Sequence, residues 1–504
     1  MLFNSLQFVL FFIIVTTLYF SFKHKYRWIL LLISSCYFYM AFVPVYILIL
    51  LFTALIDYFA GIAIEKSDGS RKKFFLAITL AANIGVLGFF KYYNFLNENV
   101  AYVLGGFGIQ ERLPFLSFIL PIGLSFHTFQ AMSYTIEIYR GNFKAERRFG
   151  IYFLYEMFYP RLVAGPIERP QNLLHQFDEP HHFDLVRMGS GLQLMAWGLF
   201  KKLVIADRLA IIVNNVYEYP TNFEGVSLII ATIFFAFQVY CDFSGYTDIA
   251  IGAAEVMGFK LMTNFNRPYL SKSIAEFWQR WHISLSTWFR DYLYLPIAYA
   301  TSRKLKKESY LGIKVDYIVY MYATIITFLI CGLWHGSSWN FVIWGGLHGI
   351  FLIFALLINK PKKRVFKHLG INRNSRPYHI FQVLVTFSLV SLAWVFFRAN
   401  TMQDAMYICT HMFTGISVNI KEVLQDHAAI KTIITLDSGR NFAFSMIILP
   451  AFFWIETLQR KLDIRELVMQ QPVLKRYIIY YVFIMVFILF GVFDSSRQFI
   501  YFQF

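Results

Sequence analysis

Uncharged apolar runs of bilayer length recur from one end of the chain to the other, at residues 6–22, 74–90, 226–241, 317–334, 339–359, 380–397 and 477–493. A stretch of about 17–25 such residues crosses the hydrocarbon core. In lipid every backbone polar group must be bonded inside the protein, so helices carry these segments. The expected fold is therefore all-α, a polytopic transmembrane helical protein of about ten to twelve spans plus re-entrant or amphipathic helices, enclosing a polar tunnel, in one transmembrane domain over residues 1–504. With 58% hydrophobic and only 15% charged residues, 57 Phe and 32 Tyr, the 504-residue chain is no water-soluble domain. The first run has no basic segment before it and no small-residue cleavage site after it, which reads as a retained helix. The stretch 28–64, broken near Pro44, reads as two helices in a tight hairpin.

The net charge of +16 would raise nucleic acid as a partner in a soluble protein. Here the basic residues fall in what read as short loops, where the positive-inside rule puts them, and no nucleic-acid partner is expected. The clusters Lys23-His24-Lys25-Tyr26-Arg27, Arg71-Lys72-Lys73, 140–148, Arg303-Lys304-Leu305-Lys306-Lys307 and Lys360-Pro361-Lys362-Lys363-Arg364 are expected on the cytoplasmic side. The four cysteines, Cys36, Cys241, Cys331 and Cys409, lack paired metal spacing, and the adjacent His181-His182 reads as a solvated loop, so no metal is expected. The polar connection 414–441 reads as an outer loop or a pair of short helices.

His335 stands in Gly332-Leu333-Trp334-His335-Gly336, between the runs 317–334 and 339–359. An ionisable ring there is costly and is a functional candidate by default. The run 317–334 rises about 27 Å at 1.5 Å per residue, which puts His335 toward the outer half of the membrane. His282 follows the amphipathic run Glu276-Phe277-Trp278-Gln279-Arg280-Trp281, too polar for a lipid-exposed span, and is expected on the inner side or on a re-entrant segment. Two further stretches, 163–170 and 238–248, read as polar or non-helical backbone, which survives at membrane depth only when buried in protein or lining a wet cavity. Asp57, Asp242 and Asp248 are expected to pair with basic residues, since buried carboxylates seldom stay unpaired. His348 reads as a packing residue. Arg280 and Arg290, with Asp291, are placed either to bind the phosphates of a CoA-type donor or to snorkel and brace a loop.

Five segments, in order, resemble the membrane-bound O-acyltransferase family, most closely its bacterial branch that serves alginate O-acetylation. They are Pro121-Ile122-Gly123-Leu124-Ser125-Phe126-His127-Thr128-Phe129-Gln130, Leu162-Val163-Ala164-Gly165-Pro166-Ile167-Glu168-Arg169, Asp242-Phe243-Ser244-Gly245-Tyr246-Thr247-Asp248, Phe277-Trp278-Gln279-Arg280-Trp281-His282-Ile283-Ser284-Leu285-Ser286 and Gly332-Leu333-Trp334-His335-Gly336. The resemblance implies a multi-pass protein of the bacterial cytoplasmic (inner) membrane that moves an acyl group, usually acetyl, toward hydroxyls of an extracytoplasmic polysaccharide. It implies His335 as the catalytic residue and His282 as the second key position. It implies an acyl thioester such as acetyl-CoA as donor substrate, with no bound cofactor, and an extracytoplasmic partner protein that completes the transfer, besides membrane lipid. His127 departs from the branch, where Tyr is frequent.

The residues agree with that implication. An acceptor hydroxyl has a high pKa and needs a base as it attacks a thioester carbonyl, a role that suits a neutral imidazole. A covalent acyl intermediate on the ring or on a partner serine stays open. Peptidoglycan or teichoic acid is an alternative acceptor. A glycan or lipid transporter that uses its histidines for proton coupling is an alternative of another class, but it favours internal repeats, which the sequence lacks. A structural subunit of a secretion machine would leave the motif histidines without a role.

Overall fold

Twenty-one helices, joined by short turns, carry the described residues of the computed structural model, which are 1–109, 114–117, 120–370, 372–416, 439–459, 464–493 and 499–500. In chain order they are α1 (Leu6–Ser21), α2 (His24–Met40), α3 (Ile47–Lys66), α4 (Gly69–Leu87), α5 (Tyr93–Gly106), α6 (Leu124–Arg140), α7 (Phe149–Met157), α8 (Pro170–Leu173), α9 (Leu185–Phe200), α10 (Asp207–Glu218), α11 (Val226–Met257), α12 (Ile274–Arg280), α13 (Ile283–Phe289), α14 (Leu295–Lys304), α15 (Val315–His335), α16 (Trp339–His368), α17 (Arg376–Arg398), α18 (Met402–His411), α19 (Gly439–Leu458), α20 (Ile464–Met469) and α21 (Val473–Phe490). Among the described residues the only sheet is an antiparallel ribbon pairing Ser309 with Lys314 and Tyr310 with Ile313. The polar connection expected at 414–441 lies mostly outside the described residues.

The chain is an all-α, multi-pass membrane protein. Among the described residues eight helical runs are long and apolar enough to cross a bilayer, and Leu6–Ser21 is apolar but shorter. That is fewer than the ten to twelve expected. The break at Pro44 is present, with α2 before it and α3 after it. The chain divides into two compact units, Met1–Leu199 with Gly245–Thr263 and Ser495–Phe504, and Phe200–Ser244 with Asn264–Asp494.

Helix boundaries differ from expectation where charge is expected to end a helix. Arg71, Lys72 and Lys73 lie in the first turns of α4, and Lys360 to Arg364 lie within α16, which includes Pro361. Lys and Arg are good helix formers, and their long stems carry the charge to water once a helix leaves the hydrocarbon. The stretch 238–248 is likewise not irregular but the middle of α11, a helix of 32 residues.

Asp242 of that stretch is answered by a neighbouring element of the same unit, as expected for a buried carboxylate. Lys202, buried in the π-helical turn Lys201–Ala206, places its Nζ 2.6 Å from Asp242 Oδ1 and 2.9 Å from Asp207 Oδ1. Lys201 donates to Ser244 Oγ at 2.9 Å. Lys202→Ala removes one cation from between two buried carboxylates. A loss of about 3–5 kcal/mol is expected, seen as a lower thermal midpoint in detergent; an unchanged midpoint would show the ion pairs to be dispensable.

In the first unit polar groups tie α3, α4 and α6 together. Asn83 Nδ2 donates to both carboxylate oxygens of Asp57, at 3.0 and 2.9 Å. A basic partner is expected for Asp57 from the sequence; its partner is an amide, which satisfies the oxygens without placing a second charge between the helices. The segment around Gly165 is buried and non-helical, as expected. It is tied to α7 by protein groups: the Arg161 side chain donates to the carbonyls of Tyr155 and Glu156, and Tyr155 Oη donates to Glu168 O at 2.9 Å.

In the second unit the hairpin α15–α16 is closed by glycines. A Cβ on Gly332 would run into the carbonyl of Phe341, and one on Gly345 into that of Phe328. Lipid supplies no hydrophobic drive for helices to associate, so close backbone approach at small residues holds them together. The approach also fixes the end of α15 against the start of α16, where His335 lies.

Candidate active site

His335 is the last residue of α15 and is 4% exposed. Three aromatic rings surround it, Trp334 with a centroid separation of 4.8 Å, Trp344 at 4.9 Å and Phe397 at 5.3 Å, all nearly perpendicular to the imidazole. Gly336 follows because the Phe341 ring occupies the space a Cβ would need. Asn340, in the first turn of α16, donates to Ala399 O at 2.9 Å and anchors the turn beyond α17.

His282 joins α12 to α13 and is fully buried. Its backbone is left-handed, φ 44° and ψ 56°, a conformation that a residue with a Cβ keeps only where its surroundings over-determine it. Asn264 supplies that constraint. Its carbonyl accepts from Ile283 N at 2.9 Å, and its Oδ1 accepts from Ser284 N at 3.2 Å and Ser284 Oγ at 3.0 Å. The same Oδ1 lies 3.1 Å from His282 Nδ1. An amide oxygen only accepts, so Nδ1 carries the proton and the lone pair is on Nε2. Burial pushes the His282 pKa well below that of a free imidazole, and the ring is neutral.

The two motif histidines, far apart in sequence, meet around one indole. Trp334 packs on His335 and also, with a centroid separation of 6.2 Å and a steep angle, on His282. Phe243 closes the other side of His282 at 4.7 Å. The Asp242-Phe243-Ser244 motif thus contributes twice in this unit, an ion pair to the helix body and a ring to the histidine.

A cavity of about 430 Å³ opens beside this cluster, lined among others by Trp278, Ser286, Thr287, Arg290, Thr327 and Cys331. Thr327, Cys331 and His335 recur every four residues on α15 and share one helix face. The cavity reaches α15 at Cys331, one turn before His335, and neither motif histidine lines it. Of the two candidate arginines, Arg290 lines the cavity, its Nε 2.8 Å from Asp291 Oδ1. Arg280 pairs instead with Glu276 one turn back, at 2.6 Å, which favours the bracing alternative for that residue.

His127 belongs to the first unit. It is buried, with Nε2 3.0 Å from Thr53 Oγ1 and Nδ1 3.1 Å from Glu156 Oε2. Sequence reasoning misses three residues of the second unit as parts of the site: Asn264, which orients His282, and the pair Trp344 and Trp278. An aromatic-rich sequence offers many rings, and nothing in it marks which ones face a histidine.

Residues 148–398, an interval that includes His282, His335 and Arg290, match the model of MBOAT, the membrane-bound O-acyltransferase family. The chain is 35% identical to the probable alginate O-acetylase of Pseudomonas aeruginosa, over 82% of this chain and 75% of that one. It is 31% identical to the peptidoglycan O-acetyltransferase of Helicobacter pylori, over 77% and 74%. It is 29% identical to the teichoic acid D-alanyltransferase of Streptococcus thermophilus, over 58% and 69%. With two motif imidazoles packed on one indole at the end of a membrane helix, and relatives of this kind matched over most of its length, the chain belongs to the membrane-bound O-acyltransferase family.

Proposed function

We propose that this O-acyltransferase moves an acetyl group from a cytoplasmic thioester, acetyl-CoA, to hydroxyls of an extracytoplasmic polysaccharide of the alginate type, in the bacterial cytoplasmic membrane. The observation that carries the reading is the pair of buried imidazoles, His335 and His282, both packed on Trp334. His335 takes the proton of the acceptor hydroxyl as its oxygen attacks the thioester carbonyl, and returns it to the departing thiolate. His282, its tautomer fixed by Asn264, offers the Nε2 lone pair to orient the incoming hydroxyl. The enclosing rings exclude water that would hydrolyse the thioester. The hydroxyl acylated at His335 is that of an extracytoplasmic partner protein, whose ester then passes the acetyl to a hydroxyl of the polymer and regenerates the partner's free hydroxyl. The activities for which the relatives are named, on alginate, peptidoglycan and teichoic acid, support a cell-surface polymer as acceptor.

The test is an assay of the purified chain with its partner, labelled acetyl-CoA, and either uronic-acid oligomers or peptidoglycan fragments. Ester-linked label on the uronic-acid oligomers is expected. Label on peptidoglycan alone would move the acceptor to that polymer, and no ester on either would overturn the reading.

Arg290 gives a donor-side prediction. Its support is that it is a cationic residue lining the cavity, beside Asp291. Arg290→Ala is expected to raise the KM for acetyl-CoA about tenfold, the loss of one charge-assisted hydrogen bond, with kcat nearly unchanged. With acetyl-pantetheine, which lacks the phosphates, the variant and the wild type should behave alike.

A further inference from the structure

We propose that His348 is a positioning residue for acyl transfer, holding the segment that carries His282 in register with the ring that backs His335. The inference rests on the acyl-transfer reading of those two histidines.

His348 is fully buried on α16, one turn after Trp344. Its ring lies parallel to Phe277, with centroids 6.0 Å apart and planes at 7°, and perpendicular to Trp278 at 5.1 Å. Its Nδ1 accepts a hydrogen bond from Trp278 Nε1 at 3.2 Å. Phe277 and Trp278 both belong to α12, whose end leads through Trp281 into His282. On its other side His348 packs on Trp344 at 5.1 Å, and Trp344 packs on His335 at 4.9 Å. The ring therefore links α12, which leads into His282, to Trp344, which packs on His335, and its hydrogen bond is to Trp278.

A packing role alone would be served by any ring of that size. The hydrogen bond requires an acceptor at Nδ1, while Nε2 has no hydrogen-bond partner among the described residues. Losing the acceptor leaves the Trp278 Nε1–H buried and unpaired, which lowers the midpoint. A displacement of reacting groups by about 1 Å costs about a hundredfold in rate, so a positioning role shows as a loss of kcat that the acceptor in His348→Asn restores.

The experiment compares His348→Phe, His348→Asn and Trp278→Phe in the acetyl-CoA assay, with thermal midpoints measured alongside. Phe fills the volume without an acceptor, whereas the Asn side-chain oxygen falls near the Nδ1 position. The expected result is kcat lowered ten- to a hundredfold in His348→Phe, donor KM within threefold of wild type, and His348→Asn within threefold of the wild-type rate. Trp278→Phe should lower kcat also, and the double variant Trp278→Phe with His348→Phe should be no slower than the slower single one. Wild-type kcat in His348→Phe, or His348→Asn as slow as His348→Phe with an unchanged midpoint, would overturn the proposal. Should His348→Phe fail to fold, Trp278→Phe and His348→Asn decide it: a normal rate in the first or a lost rate in the second counts against it. A wild-type protein that transfers no acyl group in the same assay would instead sink the catalytic reading beneath it.

Discussion

His335→Ala is expected to lower acyl transfer by about a thousandfold, within the range that a positioned general base contributes. The residue sits where its loss removes chemistry first. Its ring is flanked by Trp334, Trp344 and Phe397, so Ala also leaves a void among three aromatic rings and loosens the end of α15. His335→Gln separates the two effects, since it fills most of the space and keeps a polar atom while having no titratable nitrogen. Both variants should be inactive, and the Gln variant should keep a thermal midpoint near wild type. The wild-type rate should fall as pH falls, because protonation removes the lone pair that accepts the hydroxyl proton. A Gln variant with wild-type turnover would remove His335 from the mechanism.

The second large effect belongs to His282. His282→Ala is expected to lower kcat about a hundredfold, the cost of misplacing or failing to orient a reacting group. It should also destabilise the protein, since Ala at φ 44° pays the left-handed backbone penalty without the ring's hydrogen bond to Asn264. His282→Gly keeps that backbone at ease, about 1–2 kcal/mol better per residue. The two variants should therefore be equally slow while the Gly variant melts higher, measured as kcat and as thermal midpoint in the same detergent. Asn264→Ala, which leaves the ring but frees its Nδ1, should fall between His282→Gly and wild type. If His282→Gly retained full activity, the ring would be a packing element only.

Much of this fold is legible in the sequence because bilayer physics is severe. The apolar runs mark the helices, since no other backbone survives in lipid, and the helical hairpin around Gly336 follows from two such runs separated by a short polar turn. What charge conveys is less direct. Arg71 to Lys73 and Lys360 to Arg364 read as loops yet are helical, because charge marks where a helix meets water and not where it stops. Asp242 is expected to pair with a basic residue and does, but that the residue is Lys202, forty positions earlier, is signalled by no local pattern. Asp57 has an amide partner for the same reason: satisfying a buried carboxylate is a matter of geometry between helices.

The site divides in the same way. His335 and His282 stand out as ionisable rings in an apolar chain, and their motif context names them. Their joint packing on Trp334, the clamp from Asn264, and the bond from Trp278 to His348 are tertiary facts. Ten Trp and 57 Phe are too many candidates for a sequence to say which rings enclose a histidine. His348 reads as packing because a lone histidine on an apolar helix usually is; the hydrogen bond to its Nδ1 is what sets it apart.

The most direct measurement is made in sealed vesicles that hold the purified chain, with labelled acetyl-CoA trapped inside and a hydroxyl-bearing oligosaccharide outside together with the partner protein. Ester-linked label is expected to accumulate outside while free CoA thiol appears inside in equal amount, and neither is produced by His335→Gln. Oligosaccharide crossing the membrane unmodified, or ester formed at the same rate by His335→Gln, would contradict it.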